Sequence, residues 1–215
     1  MGLRELKKQQ TRERIAETAR RLFAERGFDH VTVADVAKEA QVAPGTVFNY
    51  FPTKEELFFG PLEVFAEHLV AAVREREPGT TVAAAFRDFV GDSGGLLARV
   101  AAGDEDAADQ LRAMNRVIAQ SPALRAREHQ TLEHATSALA ALIAEDVGAG
   151  PDDVRPFAAA NALMGVHRAL IDHTRKRVSD ESRDLADLAA EVRDLAAAGF
   201  DLLEHGLAAY DPQRE

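Results

Sequence analysis

The sequence contains no cysteine and no tryptophan. Without cysteine the chain forms no disulfide, offers no thiolate nucleophile and holds no cysteine-ligated zinc or iron–sulfur cluster, which fits a reducing compartment. The first ten residues are polar in character, so no secretory signal is predicted. No run approaches the roughly 18 uncharged apolar residues that span a bilayer. We therefore expect a soluble, cytoplasmic protein with no membrane partner.

Sequence motifs of catalysis and metal binding are also missing. The chain has no His-Glu-x-x-His zinc motif, no Walker loop, no Gly-x-Ser-x-Gly elbow and no dinucleotide fingerprint. His129 and Glu133 are four residues apart and could share a metal ion, but an exposed helical pair is the commoner reason for that spacing. We expect no catalytic residue, no metal and no cofactor.

Charge is distributed unevenly along the chain. The net charge of −10 by itself argues against a nucleic-acid partner. However, residues 1–59 carry 10 Lys/Arg and 9 Asp/Glu, whereas residues 60–215 carry 16 and 27. Residues 1–26 alone hold eight basic and four acidic side chains. A basic segment at the start of an acidic chain predicts two parts with different partners.

The apolar periodicity predicts an all-α fold of about nine helices, because glycine and proline fall between helical runs and no strand pattern is visible. The first helix is predicted over about 8–26 and ends at Gly27. A helix over about 54–76 is expected to be kinked, and not broken, at Gly60-Pro61. The last helix is predicted over about 181–209.

Two short helices near the N-terminus are joined by a tight turn. Thr32 is the predicted N-cap of the first, and Pro44 is well placed as the first residue of the second. Pro52 limits that second helix to residues 44–50. This arrangement is a helix-turn-helix, whose second helix enters the major groove of DNA. We predict a DNA-binding domain over 1–53 and a second domain over 54–215.

Polar residues in and after the second helix suit DNA contacts. Gly45 permits close backbone approach, and Thr46 offers a hydroxyl and a methyl group. Asn49 can pair with adenine, while Tyr50 and Lys54 can hold the phosphate backbone. Taken singly, each would also fit a solvated surface without a role. The interleaved apolar residues are expected in the core of a three-helix domain: Val42, Val47, Phe48 and Phe51.

A dense pattern runs through residues 15–55. It comprises Ile15, Ala19, Leu22-Phe23, Gly27-Phe28, Thr32-Val33, Val36-Ala37, Ala40, Val42, Gly45-Thr46-Val47-Phe48, Tyr50-Phe51 and Lys54-Glu55. This pattern resembles the TetR family of bacterial transcriptional regulators. The resemblance implies an all-helical homodimer with an N-terminal DNA-binding domain and a C-terminal domain that binds a small effector and forms the dimer.

The resemblance also implies roles for individual positions. It implies phosphate contacts for Thr32, Thr46, Tyr50 and Lys54. It implies a position facing the bases for Pro44, Gly45 and Asn49.

Three positions depart from the family pattern. The family usually has glycine where this chain has Gln41, and serine or threonine where it has Ala43. Without that hydroxyl, the second helix loses a cap and a phosphate contact. Phe48 often corresponds to tyrosine, so packing is kept and a hydroxyl is lost.

The last two predicted helices carry apolar stripes that suit a dimer interface. The stripes consist of Ala159, Leu163, Val166 and Leu170, and of Leu188, Val192, Leu195, Gly199, Leu202 and Gly206. Glycine within a helix lowers its stability unless another helix packs closely against it. In addition, a protein that binds palindromic DNA with two helix-turn-helix units needs two-fold symmetry. The alternative is that both stripes face the subunit's own core.

Effector-pocket candidates lie in the middle of the chain. Apolar candidates for the lining are Phe65, Phe86, Phe89, Leu111, Met114 and Met164. Polar candidates for orienting a ligand are Asn115, Asn161, His167 and Arg168. Each could instead be plain core or surface.

These features together predict a ligand-responsive repressor. Its dimer would bind a palindromic operator and leave it when an effector binds, with the helix at 54–76 rigidly linking Lys54 to Phe65. Two other classes remain open. One is a helical enzyme or small-molecule-binding protein without DNA-binding activity, and the other is an adaptor that uses the helix-turn-helix for a partner protein.

Overall fold

A computed structural model describes residues 2–60, 65–91, 96–180 and 184–206. All regular structure in these ranges is helical, which confirms the all-α prediction. The described helices are α1 (Leu3–Arg26), α2 (Val33–Glu39), α3 (Pro44–Tyr50), α4 (Lys54–Phe59), α5 (Phe65–Arg74), α6 (Val82–Gly91), α7 (Leu96–Ala101), α8 (Glu105–Gln120), α9 (Pro122–Val147), α10 (Arg155–Ser179) and α11 (Leu188–His205).

Two predicted helices are each divided, so eleven helices are described where about nine were predicted. The prediction of one kinked helix over 54–76 is wrong. α4 ends at Phe59, because Gly60 has φ 44° and ψ −101°, far from helical values. The prediction that one rigid helix links Lys54 to Phe65 is therefore also wrong. The sequence also predicts a helix that begins at Thr80 or Thr81 and that Gly94-Gly95 could interrupt. It is described as α6 and α7, and Gly94-Gly95 lies outside the described residues.

The ends of the chain show further differences. α1 begins earlier than predicted, at Leu3, and ends as predicted at Gly27, whose N–H donates to the Phe23 carbonyl oxygen at 2.9 Å. α11 begins later than predicted, at Leu188. Residues 181–183 and 207–215, which were predicted to lie within the last helix or beyond it, are outside the described residues.

The described residues up to 60 form one compact unit together with residues 113–131, here called the N-terminal unit. Its core is aromatic: the Phe23 ring lies 5.0 Å from that of Phe28 and 6.1 Å from that of Phe58, centroid to centroid. The buried Ser121 hydroxyl donates to Asp29 at 3.0 Å and joins the two segments. The predicted domain division after residue 53 stays a prediction.

The remaining described residues form a second compact unit, the C-terminal unit. Its core includes Leu69, Phe86, Leu139, Met164 and Phe200, all less than 2% exposed. α10 and α11 pack closely within this unit.

Candidate functional site

A reciprocal cap starts α2. The Thr32 hydroxyl oxygen accepts the Asp35 N–H at 3.1 Å, and the Asp35 carboxylate accepts the Thr32 N–H at 2.8 Å. Hydrogen bonds from Thr32 lower the pKa of Asp35 below its usual value. The predicted N-cap is confirmed, and the phosphate contact of Thr32 stays a prediction.

The turn between α2 and α3 depends on Gln41. Its φ of 54° is the one positive value at a non-glycine residue in the described ranges. The left-handed conformation costs a residue with a side chain about 1–2 kcal/mol. This cost explains why glycine is usual at this position in the family that the sequence resembles. The turn closes with a 2.9 Å hydrogen bond from the Val42 N–H to the Ala37 carbonyl.

α3 spans Pro44–Tyr50 as predicted and is an exposed helix. Val47 is its buried residue, while Pro44, Gly45 and Asn49 are exposed. Thr46 and Tyr50 are half-buried. Ala43 occupies the N-cap with no side-chain hydrogen bond, which confirms the loss expected from the missing hydroxyl.

Phe48 does not lie in the core, and the prediction that it does is therefore wrong. Its side chain is 51% exposed, whereas Val47 and Phe51 are buried. In a helix this short, Val47 and Phe51 at i and i+4 take the inward face, and Phe48 is turned away with Asn49. Phe48 therefore joins the exposed face of α3, where an apolar ring can contact a thymine methyl group.

Lys54 packs against the aromatic core of the N-terminal unit. Its Nζ lies 4.1 Å from the centroid of the Phe28 ring and 5.9 Å from that of Phe23. Burial lowers the pKa of Lys54, and nearby Asp29 and Glu55 oppose that change. This ammonium group is held by a cation–π contact at the end of the helix-turn-helix.

Most basic side chains of α1 have no ion-pair partner among the described residues. Arg21 pairs with Glu25 at 3.1 Å and Glu39 at 2.7 Å, and Arg12 lies over the Phe51 ring at 5.4 Å. Within the described part of the chain, no ion pair holds the other basic side chains of this helix, which are Arg4, Lys7, Lys8, Arg14, Arg20 and Arg26.

Arginines of the C-terminal unit show the opposite pattern. Most are paired with carboxylates in the same unit: Arg74 with Glu145, Arg76 with Asp146, Arg87 with Glu204, Arg99 with Asp104, Arg155 with Asp153, Arg168 with Glu133 and Arg177 with Glu191. Among the described residues, α1 is therefore a segment rich in basic side chains without ion pairs, although the chain as a whole is acidic.

Three of the predicted effector residues meet in the C-terminal unit. The rings of Phe65 and His167 stack with centroids 5.0 Å apart and planes at 10°, and Phe89 lies 5.6 Å from Phe65. Burial, helped by Arg168, lowers the pKa of His167 to about 4. Its buried Nδ1 has no hydrogen-bond partner among the described residues. The cluster thus holds a neutral imidazole with one unsatisfied nitrogen.

Arg168 lies next to this histidine in sequence. Its Nη2 donates to the Glu133 carboxylate at 2.7 Å and to the Thr136 hydroxyl at 3.1 Å. Its buried Nε finds no partner among the described residues. Phe86 and Met164 are buried in the same core.

The other four predicted pocket residues are placed differently. Asn161 donates to the carbonyl of Phe157 on its own helix at 2.8 Å. Met114 packs against the core of the N-terminal unit, to which Asn115 also belongs, and Leu111 is buried in the C-terminal unit. Their role in a pocket stays a prediction.

Two family descriptions match this chain. Residues 15–60 match "Bacterial regulatory proteins, tetR family", and residues 94–201 match "MftR C-terminal domain". The chain belongs to the TetR family. It is a DNA-binding transcriptional regulator. Regulators of this family bind DNA and small-molecule effectors and generally act as dimers.

Individual TetR-family proteins are similar over much of their length. The chain is 32% identical to the transcriptional regulator TcmR of Streptomyces glaucescens over 162 residues, which are 72% of this chain and 69% of TcmR. It is 26% identical over 196 residues to MftR of Mycobacterium tuberculosis, named for mycofactocin biosynthesis, covering 88% of this chain and 90% of MftR.

Solved TetR-family structures share the fold. NalD of Pseudomonas aeruginosa has a TM-score of 0.54 and 22% identity, covering 89% of this chain and 97% of NalD. SmeT in its triclosan complex has a TM-score of 0.54 and 19% identity, covering 87% of this chain and 90% of SmeT.

Two further features of the described ranges concern membranes and metals. No helix there is both long and apolar enough to cross a membrane. Nor do three or more histidine, aspartate or glutamate side chains gather there in a metal-binding group.

Proposed function

We propose that this TetR-family regulator is a repressor that binds a palindromic operator as a homodimer and is released by an effector. The observation that carries the proposal is the exposed α3 in the same unit as α1, whose described basic side chains mostly hold no ion pair. Two copies of α3 would occupy successive major grooves, ~34–36 Å apart. Residues 1–53 would form the DNA-binding domain, and residues 54–215 the domain for effector binding and dimerisation.

On the exposed face of α3, Pro44, Gly45 and Asn49 would face the bases. Asn49 offers a donor and an acceptor that match adenine, and the exposed Phe48 adds an apolar contact. Around this face, the hydroxyl groups of Thr32, Thr46 and Tyr50 and the ammonium of Lys54 would bind phosphates.

Asn49→Ala is the test of base recognition. We expect it to weaken binding by ~1–3 kcal/mol, and to relax discrimination at one base pair per half-site, because a paired donor and acceptor are lost. The measurement is selection from a random DNA pool, followed by fluorescence anisotropy on the selected duplex across a salt series.

Gln110→Ala is the control, since it removes an exposed amide side chain from α8 in the C-terminal unit. If Asn49→Ala selects the same sequences with the same discrimination as the wild type, Asn49 does not read a base. If the wild type shows no salt-sensitive binding to any duplex, the repressor proposal fails and a helical small-molecule-binding protein is favoured.

We propose that a second copy of this chain covers α10 and α11. Ala158, Ala162, Gly165 and Ala169 share one exposed face of α10, and no charged residue interrupts it. Leu195 is 40% exposed on α11, and Leu202 lies seven residues further on the same face. A continuous exposed face of apolar residues often marks a protein–protein contact, which a partner subunit would provide.

The predicted dimer stripes divide between the core and the surface. Leu163, Leu170 and Leu188 are buried in their own unit, and Gly199 packs against Val166, whose Cγ1 would lie 2.8 Å from a Cβ at residue 199. Gly206 has φ 79° and follows the last residue of α11, so the prediction that it belongs to the helical stripe is wrong. Ala159, Leu195 and Leu202 remain for the interface, while Val166 and Val192 are half-buried between the two helices.

A charge on the exposed face of α10 tests this interface. Ala162→Arg is expected to convert the dimer to a monomer in sedimentation experiments, because it buries an unpaired charge in the contact. Ala197→Arg is the control, since it places the same group at an exposed position on α11 beyond the proposed contact. A dimer of unchanged stability in Ala162→Arg would move the interface elsewhere.

We place the effector at Phe65, Phe89 and His167. Aromatic rings supply apolar contact, and the unsatisfied Nδ1 of a neutral imidazole supplies one directional hydrogen bond. An apolar ligand with one polar hydrogen-bonding group fits this set. Release from DNA requires only that the effector bind unequally to the DNA-competent and incompetent conformations.

A further inference from the structure

α1 extends well beyond the core that it helps to build. Ile15 and Leu22, on its inner face, are 0% and 1% exposed. Continuing that face toward the N-terminus at helical spacing leads to Thr11, Lys8 and Arg4. The same face of one helix therefore changes from apolar to polar and basic before residue 15.

This basic segment faces a groove of about 620 Å³. The groove is lined by Arg4, Glu5, Lys7, Lys8 and Thr11 from α1 and by Tyr50 from α3. Tyr50 is the last residue of the exposed helix α3. The groove thus lies directly beside the helix that is proposed to enter DNA.

The cations in the groove are exposed and hold no ion pair with the described residues, so they can bind an anion. None of Arg4, Lys7 and Lys8 has an ion-pair partner within the described ranges. Arg4 also lies in the first turn of α1, where the helix dipole disfavours positive charge. A polyanion in the groove would supply the missing counter-charge and would offset the unfavourable position of Arg4 at the start of the helix.

We propose that the first three turns of α1 and Tyr50 form a clamp for the DNA backbone, in which Arg4, Lys7 and Lys8 bind phosphates beside the major groove that α3 occupies. This inference rests on the proposed function and adds a second binding element to it. Phosphate contacts fix the position of α3 and carry no base information. The clamp therefore contributes affinity and salt dependence, and base preference comes from α3.

The test is a triple variant, R4Q/K7Q/K8Q, measured by fluorescence anisotropy on the duplex that the wild type selects from a random pool. Counterion release contributes about 0.9 to the salt slope per phosphate contact. Loss of three contacts in each subunit of a dimer is expected to reduce the slope of log K against log salt by about 5. Affinity at low salt falls at least tenfold, with an unchanged base preference.

Two further variants locate the effect. Arg20→Gln removes one positive charge per subunit from the opposite face of α1 and is expected to change the slope by less than one. Replacing Arg4 by lysine and both lysines by arginine keeps the charge and is expected to keep the slope. Circular dichroism of each variant should show unchanged helix content, since the replaced side chains are exposed.

The outcomes separate the two proposals. A wild type without salt-dependent DNA binding overturns the proposed function. A wild type with such binding and a triple variant of equal slope overturns the clamp alone. A fall in slope of about 2 for Arg20→Gln, which is the value of one lost phosphate contact in each subunit, shows that charge on either face of α1 acts alike and overturns the clamp. An altered base preference in the triple variant also overturns it.

Discussion

Phe23→Ala is expected to lower the free energy of unfolding of the N-terminal unit by about 3–5 kcal/mol. The Phe23 side chain is fully buried, with the rings of Phe28 and Phe58 at 5.0 Å and 6.1 Å. Truncation leaves a cavity among these rings and removes one of the two that lie beneath the Lys54 ammonium. Because a domain has only a small margin of stability, this loss should also abolish DNA binding near physiological temperature.

Hydrogen exchange at the amides of α1 to α4 measures this loss, and anisotropy follows DNA binding in parallel. Phe157→Ala is the control, because that ring is 53% exposed and its removal should change stability by no more than ~0.5 kcal/mol. A loss below about 1 kcal/mol in Phe23→Ala would show that the aromatic cluster does not hold the helix-turn-helix together.

Acidification should destabilise this protein through His167. The pKa of His167 is lowered from 6.5 to about 4 in the folded state by burial and Arg168. The unfolded chain therefore takes up the proton first as the pH falls. Stability contributed by the neutral ring is complete above pH 6.5 and declines as the pH falls toward 4, by about 3 kcal/mol in total.

Chemical denaturation at several pH values, compared with His167→Gln, measures this contribution. The variant should lose less stability than the wild type between pH 7 and pH 4, because the buried titrating group is gone. His129→Gln is the control, since it removes an exposed histidine. A histidine resonance of the folded protein that titrates near pH 6.5 and is lost in His167→Gln would contradict the assigned burial.

The helix-turn-helix was predictable from local chemistry. Thr32 caps α2, Pro44 begins α3 and a glycine ends α1, because each depends on hydrogen bonds and dihedral angles within a few residues. Gly60 shows the limit of that approach. A glycine before proline permits either a kink or an end, and its φ of 44° shows that α4 ends there.

Side-chain burial was less predictable. Phe48 has the apolar character of its neighbours, yet it is half exposed, because a helix of seven residues has room inward for Val47 and leaves Phe48 outside. On α10, Leu163, Met164 and Leu170 belong to the core of their own unit, whereas the small residues Ala158, Ala162, Gly165 and Ala169 form the exposed face. Periodicity marks both faces as apolar and does not say which element covers each.

From the amino-acid sequence alone follow the helical class, the TetR-family resemblance, and the separation of a basic N-terminus from an acidic remainder. Tertiary structure decided which charges stay free, which rings meet, and that α1 extends a basic face along a groove beside Tyr50. The physical reason is the distance along the chain over which each interaction acts. Caps, turns and periodicity act over a few residues, whereas ion pairing, ring stacking and burial depend on segments that are brought together only when the chain folds.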